Sequence, residues 1–166
     1  MQKQDQEKQF EQQVTAYKGL LYKICRIYAA TEADRDDLFQ EIVIQLWKAY
    51  PGYKGTAQFS TWMYRVALNT AITGIRKKKN FISSYESMSP FENIGHDNSA
   101  YAEEEQLQRL YKAIEQLNDI EKAIVMLYME DRAYSEMEDI LGIGQNTLRV
   151  KMNRIKEKLR QLTKSN

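Results

Sequence analysis

YSEMEDILGIGQNTLRVKMNRIKEKLRQL, residues 134–162, decides how this chain is read. It divides into a short helix, the turn Leu141-Gly142-Ile143-Gly144, and a long basic amphipathic helix. In the second helix Leu148, Met152, Ile155, Leu159 and Leu162 alternate spacings of four and three, so they share one face. The other faces carry Arg149, Lys151, Arg154, Lys156, Lys158 and Arg160, with Glu157 the sole acid among them. A helix that buries one stripe and offers cations elsewhere, behind a turn containing glycine, reads as the recognition element of a helix-turn-helix. From Gln145 to Leu162 it would span about 27 Å, enough to lie across a major groove. Gln145, Asn146, Thr147, Arg149 and Val150, at its N-terminal end, are placed to reach base edges. Lys151, Asn153, Arg154 and Lys156 lie further along, where phosphates are expected. Asn or Gln pairs with adenine and Arg with guanine, each good bidentate contact contributing about 1–3 kcal/mol of discrimination.

The rest of the chain predicts an all-α protein of two small helical domains, an N-terminal bundle and a C-terminal helix-turn-helix domain, joined by a flexible linker. Two prolines and seven glycines in 166 residues leave few helix breakers, and no alternating strand pattern of useful length occurs. A formal net charge of +1 averages opposed blocks. Ser60–Asn80 holds five cations and no acid, residues 145–166 hold seven cations and one acid, and Tyr101–Leu141 holds eleven acids against four bases. Two basic patches separated by an acidic stretch suit two nucleic-acid contacts.

Cys25 stands alone, so no internal disulfide forms and a reducing compartment is expected. One Cys and one His (His96) do not make a zinc site of the usual spacing. No apolar run approaches a membrane span, and the opening MQKQDQEK is polar. The expectation is a soluble cytoplasmic protein with no membrane insertion, no metal and no cofactor.

Residues 6–80 form the first predicted domain. A helix from about Gln6 to Ala29 carries Phe10, Val14, Tyr17, Leu21, Ile24 and Tyr28 on one stripe. Thr31-Glu32-Ala33-Asp34 supplies cap candidates and early acids for a second helix, reaching about Tyr50 with Leu38, Ile42, Val43, Leu46 and Trp47. Pro51 and Gly52 stop it, and Tyr53 to Gln58 reads as loop. A third helix begins near Ser60 as its cap and runs into Arg76–Lys79. Residues 81–100, rich in Ser and Asn and holding Pro90, read as the linker. The second domain, 101–164, has predicted helices at Tyr101–Leu117, Asp119–Met129 and Tyr134–Leu141 before the basic helix.

A second constellation lies in FSTWMYRVALN (59–69) followed by IRKKK (75–79). Phe59, Trp62 and Tyr64 beside a cationic helix suit the stacking of exposed bases, although Trp62 and Val66 at i,i+4 equally suit packing into the bundle. Ser60 precedes them, and Arg65, Asn69, Arg76, Lys77 and Lys78 are polar contact candidates off that stripe. The acids Asp34, Asp36, Asp37 and Glu41 resemble a magnesium site only superficially. No His accompanies them, and acids early in a helix offset its dipole. With no phosphate-binding glycine loop and no Ser/His/Asp set, the chain is not expected to be an enzyme.

Taken together these residues resemble the sigma factors of bacterial RNA polymerase, in particular the compact extracytoplasmic-function (ECF) group of the sigma-70 family. DDLFQEI (36–42) with Leu46 and Trp47 resembles the helix that binds core polymerase. FSTWMYRVALN resembles the segment that opens and reads the −10 element. LNDIEKAIVMLYME (117–130) and YSEMEDILGIG (134–144) resemble the domain that reads the −35 element. The resemblance implies that Asp37, Gln40, Glu41 and Gln45 dock on polymerase core, on the clamp helices of its largest subunit, with the beta and beta-prime subunits as partners. It implies that the loop Lys54–Ser60 and the following helix capture an unpaired −10 base, that Arg76–Lys79 hold the backbone nearby, and that the last helix reads −35 duplex. An anti-sigma protein is a further implied partner. Where Glu138 stands the family has a small residue, and a capping box between Ser135 and Glu138 would accommodate the change by starting that helix later. A stand-alone dimeric helix-turn-helix regulator is the alternative; it leaves the aromatic and basic residues of 59–79 without a role. A protein-binding adaptor using the acidic block is a third reading, and leaves the charge segregation without one.

Overall fold

The computed structural model describes residues 1–84 and 102–164, with side chains described for 1–74 and 104–164. Most of the expected linker, residues 81–100, and the side chains of Arg76, Lys77, Lys78 and Lys79 lie outside that range. The described residues form helices α1 (Gln2–Ala16), α2 (Lys18–Tyr28), α3 (Glu32–Ala49), α4 (Phe59–Ser84), α5 (Ala102–Glu115), α6 (Asp119–Met129), α7 (Tyr134–Leu141) and α8 (Gln145–Lys164), with one 3-10 turn at Tyr50–Gly52. All regular structure among them is helical, as the composition predicts.

Helices α1–α4 make the first unit. The expected single first helix is broken at Tyr17, whose ψ of 13° departs from helical geometry. Lys18 and Gly19 follow, and glycine is a poor helix former at such a joint. The bend lets Phe10 reach Trp47 and Tyr50 with ring centroids at 5.0 and 5.2 Å, while Leu21, Ile24 and Tyr28 enter the core. Thr31 caps α3 as expected, its hydroxyl accepting from the Asp34 amide at 3.1 Å. Inside α3 only Ile42 and Leu46 are fully buried; Trp47, expected in the apolar stripe, is 38% exposed. Cys25 is buried, and burial pushes its thiol up to about 11, with Arg35 opposing and Asp36 adding to that shift.

Two expectations for α4 are corrected. Ser60 does not cap it: the helix already includes Phe59, and the Trp62 amide donates to the Gln58 carbonyl at 3.1 Å. The helix also runs past Asn80 to Ser84, because no Gly or Pro interrupts KKKNFISS and propagating a helix is easy once it is nucleated.

Helices α5–α8 make the second unit around Ile114, Ala123, Ile124, Leu127, Met137, Leu148, Met152 and Ile155. Asn118 starts α6 with a reciprocal capping box: its Oδ1 accepts from the Glu121 amide at 2.8 Å, and Glu121 Oε1 accepts from the Asn118 amide at 3.2 Å. Glu121 also pairs with Lys158 of α8 at 2.9 Å, tying the start of α6 to the last helix. Asn118→Ala removes the cap and is expected to cost about 1 kcal/mol. A urea midpoint unchanged on that substitution would show the cap to be energetically idle.

The turn after α6 is built on Asp131, whose φ of 56° is the one positive value at a described non-glycine residue. The Arg132 amide donates back to the Leu127 carbonyl at 3.1 Å, closing the helix end in the left-handed manner that Asp tolerates better than most residues. The expected Ser135–Glu138 capping box does not form. Helix α7 begins at Tyr134 behind Ala133, which has no side-chain cap, and Glu138 stays half-buried with its carbonyl accepting from Gly142 at 2.8 Å.

The two units pack on each other. Tyr28 donates its hydroxyl to the Asp119 carbonyl at 2.7 Å, Lys23 pairs with Glu130 at 2.6 Å, and the Arg26 guanidinium lies 4.0 Å from the centroid of the Tyr111 ring. On the other side, α4 meets α7, where Arg65 Nε donates to the Asp139 carbonyl at 2.6 Å. Among the described residues no helix is long and apolar enough to cross a membrane.

Candidate nucleic-acid interface

In α7–turn–α8 the local sequence produces the motif directly. Gly142 takes φ 71°, a left-handed conformation that ends α7, and its amide donates to Glu138. Gly144 then precedes the first turn of α8 and its carbonyl accepts from Leu148 at 2.9 Å. Leu148, Met152 and Ile155 bury the predicted stripe, with Leu159 and Leu162 half-buried beyond them. This leaves Asn146, Thr147, Arg149, Val150, Asn153 and Arg154 exposed and Gln145 half-buried, so all seven candidate DNA-binding residues of this helix lie off the buried stripe.

Arg149 and Asn146 are already coupled: Arg149 Nη1 donates to Asn146 Oδ1 at 3.0 Å, and the guanidinium sits 5.2 Å from the Tyr134 ring centroid. That support limits the rotamers the arginine must give up on meeting a base. Val150, half exposed, offers an apolar surface of the kind that meets a thymine methyl group. Lys156 lies over the Tyr128 ring at 4.6 Å, and Lys158 is held by Glu121.

The second constellation is arranged less simply than its sequence suggests. Phe59, Trp62, Tyr53, Tyr50 and Phe10 form a chain of ring contacts, with Tyr53–Trp62 at 5.0 Å and Phe59–Trp62 at 5.4 Å. Tyr53 closes its own loop by donating to the Ala57 carbonyl at 2.7 Å. The loop 53–58 is therefore fixed to the head of α4 by aromatic packing. Phe59 is buried and Trp62 half-buried, so of the two the indole is the more open to a base. Tyr64 is fully buried and cannot stack in this arrangement, which corrects the sequence reading of it as a stacking platform. Arg65 and Asn69 are exposed, and Ser60 is buried.

Sequence reasoning gave no role to Arg132. Its Nη1 donates to Ser60 Oγ at 3.4 Å and to Glu136 Oε2 at 3.2 Å, and its guanidinium lies 5.2 Å from the Tyr64 ring centroid. Burial works against its charge, but the hydrogen bond to Glu136 and the nearby Tyr64 raise its pKa on balance. The Tyr64 hydroxyl is pushed up to about 12 by burial, with Arg132 partly opposing that. Neither the Tyr64 hydroxyl nor Arg132 Nε has a well-formed hydrogen bond.

On α3, Asp37, Gln40 and Glu41 are exposed and Gln45 is half-buried, donating to Glu41 Oε1 at 2.9 Å. With Ile44, 46% exposed, they make one outward polar and apolar strip opposite Ile42 and Leu46. The described residues contain no group of three or more His, Cys, Asp or Glu arranged to hold a metal ion.

The molecule thus has two helical units, one bearing a helix-turn-helix and the other a helix headed by aromatic residues. Residues 13–81 match the Sigma-70 region 2 family and residues 107–159 match Sigma-70 region 4. The chain is 27% identical over 159 residues to the ECF RNA polymerase sigma factor SigW of Bacillus subtilis, covering 89% of this chain and 85% of that protein. It is also 27% identical over 168 residues to the ECF RNA polymerase sigma-E factor of Escherichia coli K12, covering 95% and 87%. Among solved structures it is similar to the sigma factor RpoE of Bartonella quintana, in complex with the anti-sigma factor NepR. That match has a TM-score of 0.74 and 17% identity, covering 95% of this chain and 98% of that one. CnrH in complex with the cytosolic domain of CnrY gives a TM-score of 0.70 at 19% identity, covering 96% and 90%. The chain belongs to the sigma-70 family, in its ECF group.

Proposed function

We propose that this protein joins RNA polymerase core and directs it to promoters by recognising −10 and −35 elements. The observation that carries this is the presence of exposed polar and cationic residues on two helices, α4 and α8, of separate units, with an exposed strip on α3 that the fold does not require. In this reading Asp37, Gln40, Glu41 and Gln45 dock on the beta-prime clamp, with further contacts to beta. The loop 54–60 and Phe59, Ser60, Trp62, Arg65, Asn69, Arg76, Lys77 and Lys78 engage the −10 region. Gln145, Asn146, Thr147, Arg149 and Val150 read −35 duplex, and Asn153 and Arg154 bind it along the same helix.

The physical task is selective capture. Unstacking a base pair step costs a few kcal/mol, and stacking on Trp62 with backbone neutralisation by Arg65 and the basic end of α4 offsets part of it. Polymerase contacts supply the remainder, so the free protein binds promoters weakly. All bond chemistry stays with the polymerase; this chain contributes placement, and its working location is the cytoplasm. An anti-sigma protein is a proposed partner, by analogy with the complex of RpoE and NepR above.

Run-off transcription with purified core and a promoter library tests this. Core plus protein is expected to initiate selectively, and initiation no more selective than core alone would overturn the proposal. Arg149→Ala is expected to relax base preference upstream only, lowering discrimination there by about 1–3 kcal/mol. Equal relaxation at both elements would refute the division of labour.

A further inference from the structure

We propose that Asn146 and Arg149 form a single base reader, held in shape by Tyr134, which selects a guanine in the upstream duplex. This rests on the reading that α8 enters the −35 major groove. It replaces two separate readers, one of adenine and one of guanine, by one composite group. The parts come from both helices of the motif: Tyr134 opens α7, and Asn146 and Arg149 lie at the start of α8. Arg149 Nη1 donates to Asn146 Oδ1 at 3.0 Å, and the guanidinium lies 5.2 Å from the centroid of the Tyr134 ring.

The core fixes where these groups stand. Met137 and Ile140 of α7 and Leu148 and Met152 of α8 are buried, so packing sets the crossing of the two helices. Arg149 directly follows Leu148, which anchors its backbone. Asn146 lies one turn earlier, at the spacing where helical side chains meet. Tyr134 is half-buried against the core and offers a stationary ring, while Asn146 and Arg149 stay exposed. A guanidinium within about 6 Å of a ring centroid is attracted by the negative face of the ring. Ring and amide together restrict a long side chain before DNA arrives, which lowers the ordering cost of binding.

The chemistry of the bases then decides what is read. Adenine shows the major groove an acceptor at N7 and a donor at N6, and Asn reads it by donating from Nδ2 and accepting at Oδ1. Here Oδ1 already receives Arg149 Nη1, so an adenine amino group at this oxygen would face a guanidinium N–H, donor against donor. Guanine instead presents acceptors at both N7 and O6. One Nη1 hydrogen goes to Asn146, and the remaining N–H groups of the fork suffice for both guanine acceptors. Asn146 and Tyr134 are therefore positioning residues, acting through the arginine.

The test uses holoenzyme assembled from core polymerase and the full chain, on promoters randomised over the −35 region. Sequencing the transcribed templates gives the base preference at each position. A preference ratio at one base pair does not change with the fraction of protein folded, so a merely structural role leaves it unmoved. Arg149→Ala is expected to lower a guanine preference at one position by at least about fivefold. Asn146→Ala and Tyr134→Leu are each expected to lower the preference at that same position by about two- to fivefold, and Tyr134→Phe, which keeps the ring, to restore it. In an Arg149→Ala background neither substitution should have any further effect. Relaxation of an adenine at a neighbouring position on Asn146→Ala, or effects that persist without Arg149, would overturn the composite reader and leave α8 as the −35 helix. Arg149→Ala without any upstream effect would instead remove that reading of α8, and this proposal with it.

Discussion

Leu148→Ala is expected to abolish upstream promoter recognition without removing any atom that touches DNA. Leu148 is wholly buried on the inner face of α8, and truncating such a leucine costs about 2–5 kcal/mol through lost burial and the cavity left behind. A unit of about 60 residues has only a few kcal/mol of stability in total, so the loss leaves α5–α8 largely unfolded near physiological temperature. Val150→Ala is the control: Val150 sits on the outer face of the same helix, half exposed, and its truncation should change stability by no more than about 0.5 kcal/mol. Urea unfolding followed by circular dichroism, alongside −35 duplex binding, distinguishes the two. Equal midpoints for wild type and Leu148→Ala would mean that the stripe of α8 does not hold the unit together.

Reversing charge on the outer strip of α3 should have the opposite signature, with the fold intact and the assembly lost. Asp37 and Glu41 are one turn apart and both exposed; the contact found for Glu41 here is with Gln45 on its own helix. The double substitution Asp37→Lys, Glu41→Lys should shift stability by no more than about 0.5 kcal/mol at each position. If this strip docks on a basic surface of polymerase core, two reversed charges juxtapose like with like at a cost of several kcal/mol, which is a hundredfold or more in affinity. The effect should shrink as salt is raised, because the interactions at the rim of such a surface are screened. Undiminished association with core at low salt would move the docking surface elsewhere on the molecule.

The parts legible in the sequence are those governed by a single helix. The limits of α6 and α7, the buried stripe of α8 and the outward placement of its polar residues follow from spacing, Asn118, Gly142 and Gly144. Each depends on neighbours within one or two turns. Errors came where two elements compete for one residue. Tyr64 reads as a surface aromatic in FSTWMYR, yet it is buried beside a residue sixty-eight positions away. Trp47 reads as core but stays 38% exposed, packed on Phe10 and Tyr50 at the outer end of the bundle. The Ser135–Glu138 capping box expected to start α7 later does not form, since α7 already starts at Tyr134 behind Ala133. Arg132 was invisible because nothing in its local sequence marks it. Asp131, a non-glycine residue at a left-handed position, was the available hint, and only backbone geometry reveals it.

The isolation of Cys25 has a consequence for signalling. Oxidation begins at an accessible thiolate, and this sulfur has neither access nor charge near neutral pH. Thiol oxidation or alkylation would therefore pass this molecule by, and any alarm carried by cysteine chemistry that changes gene expression through it has to be sensed by a different protein first.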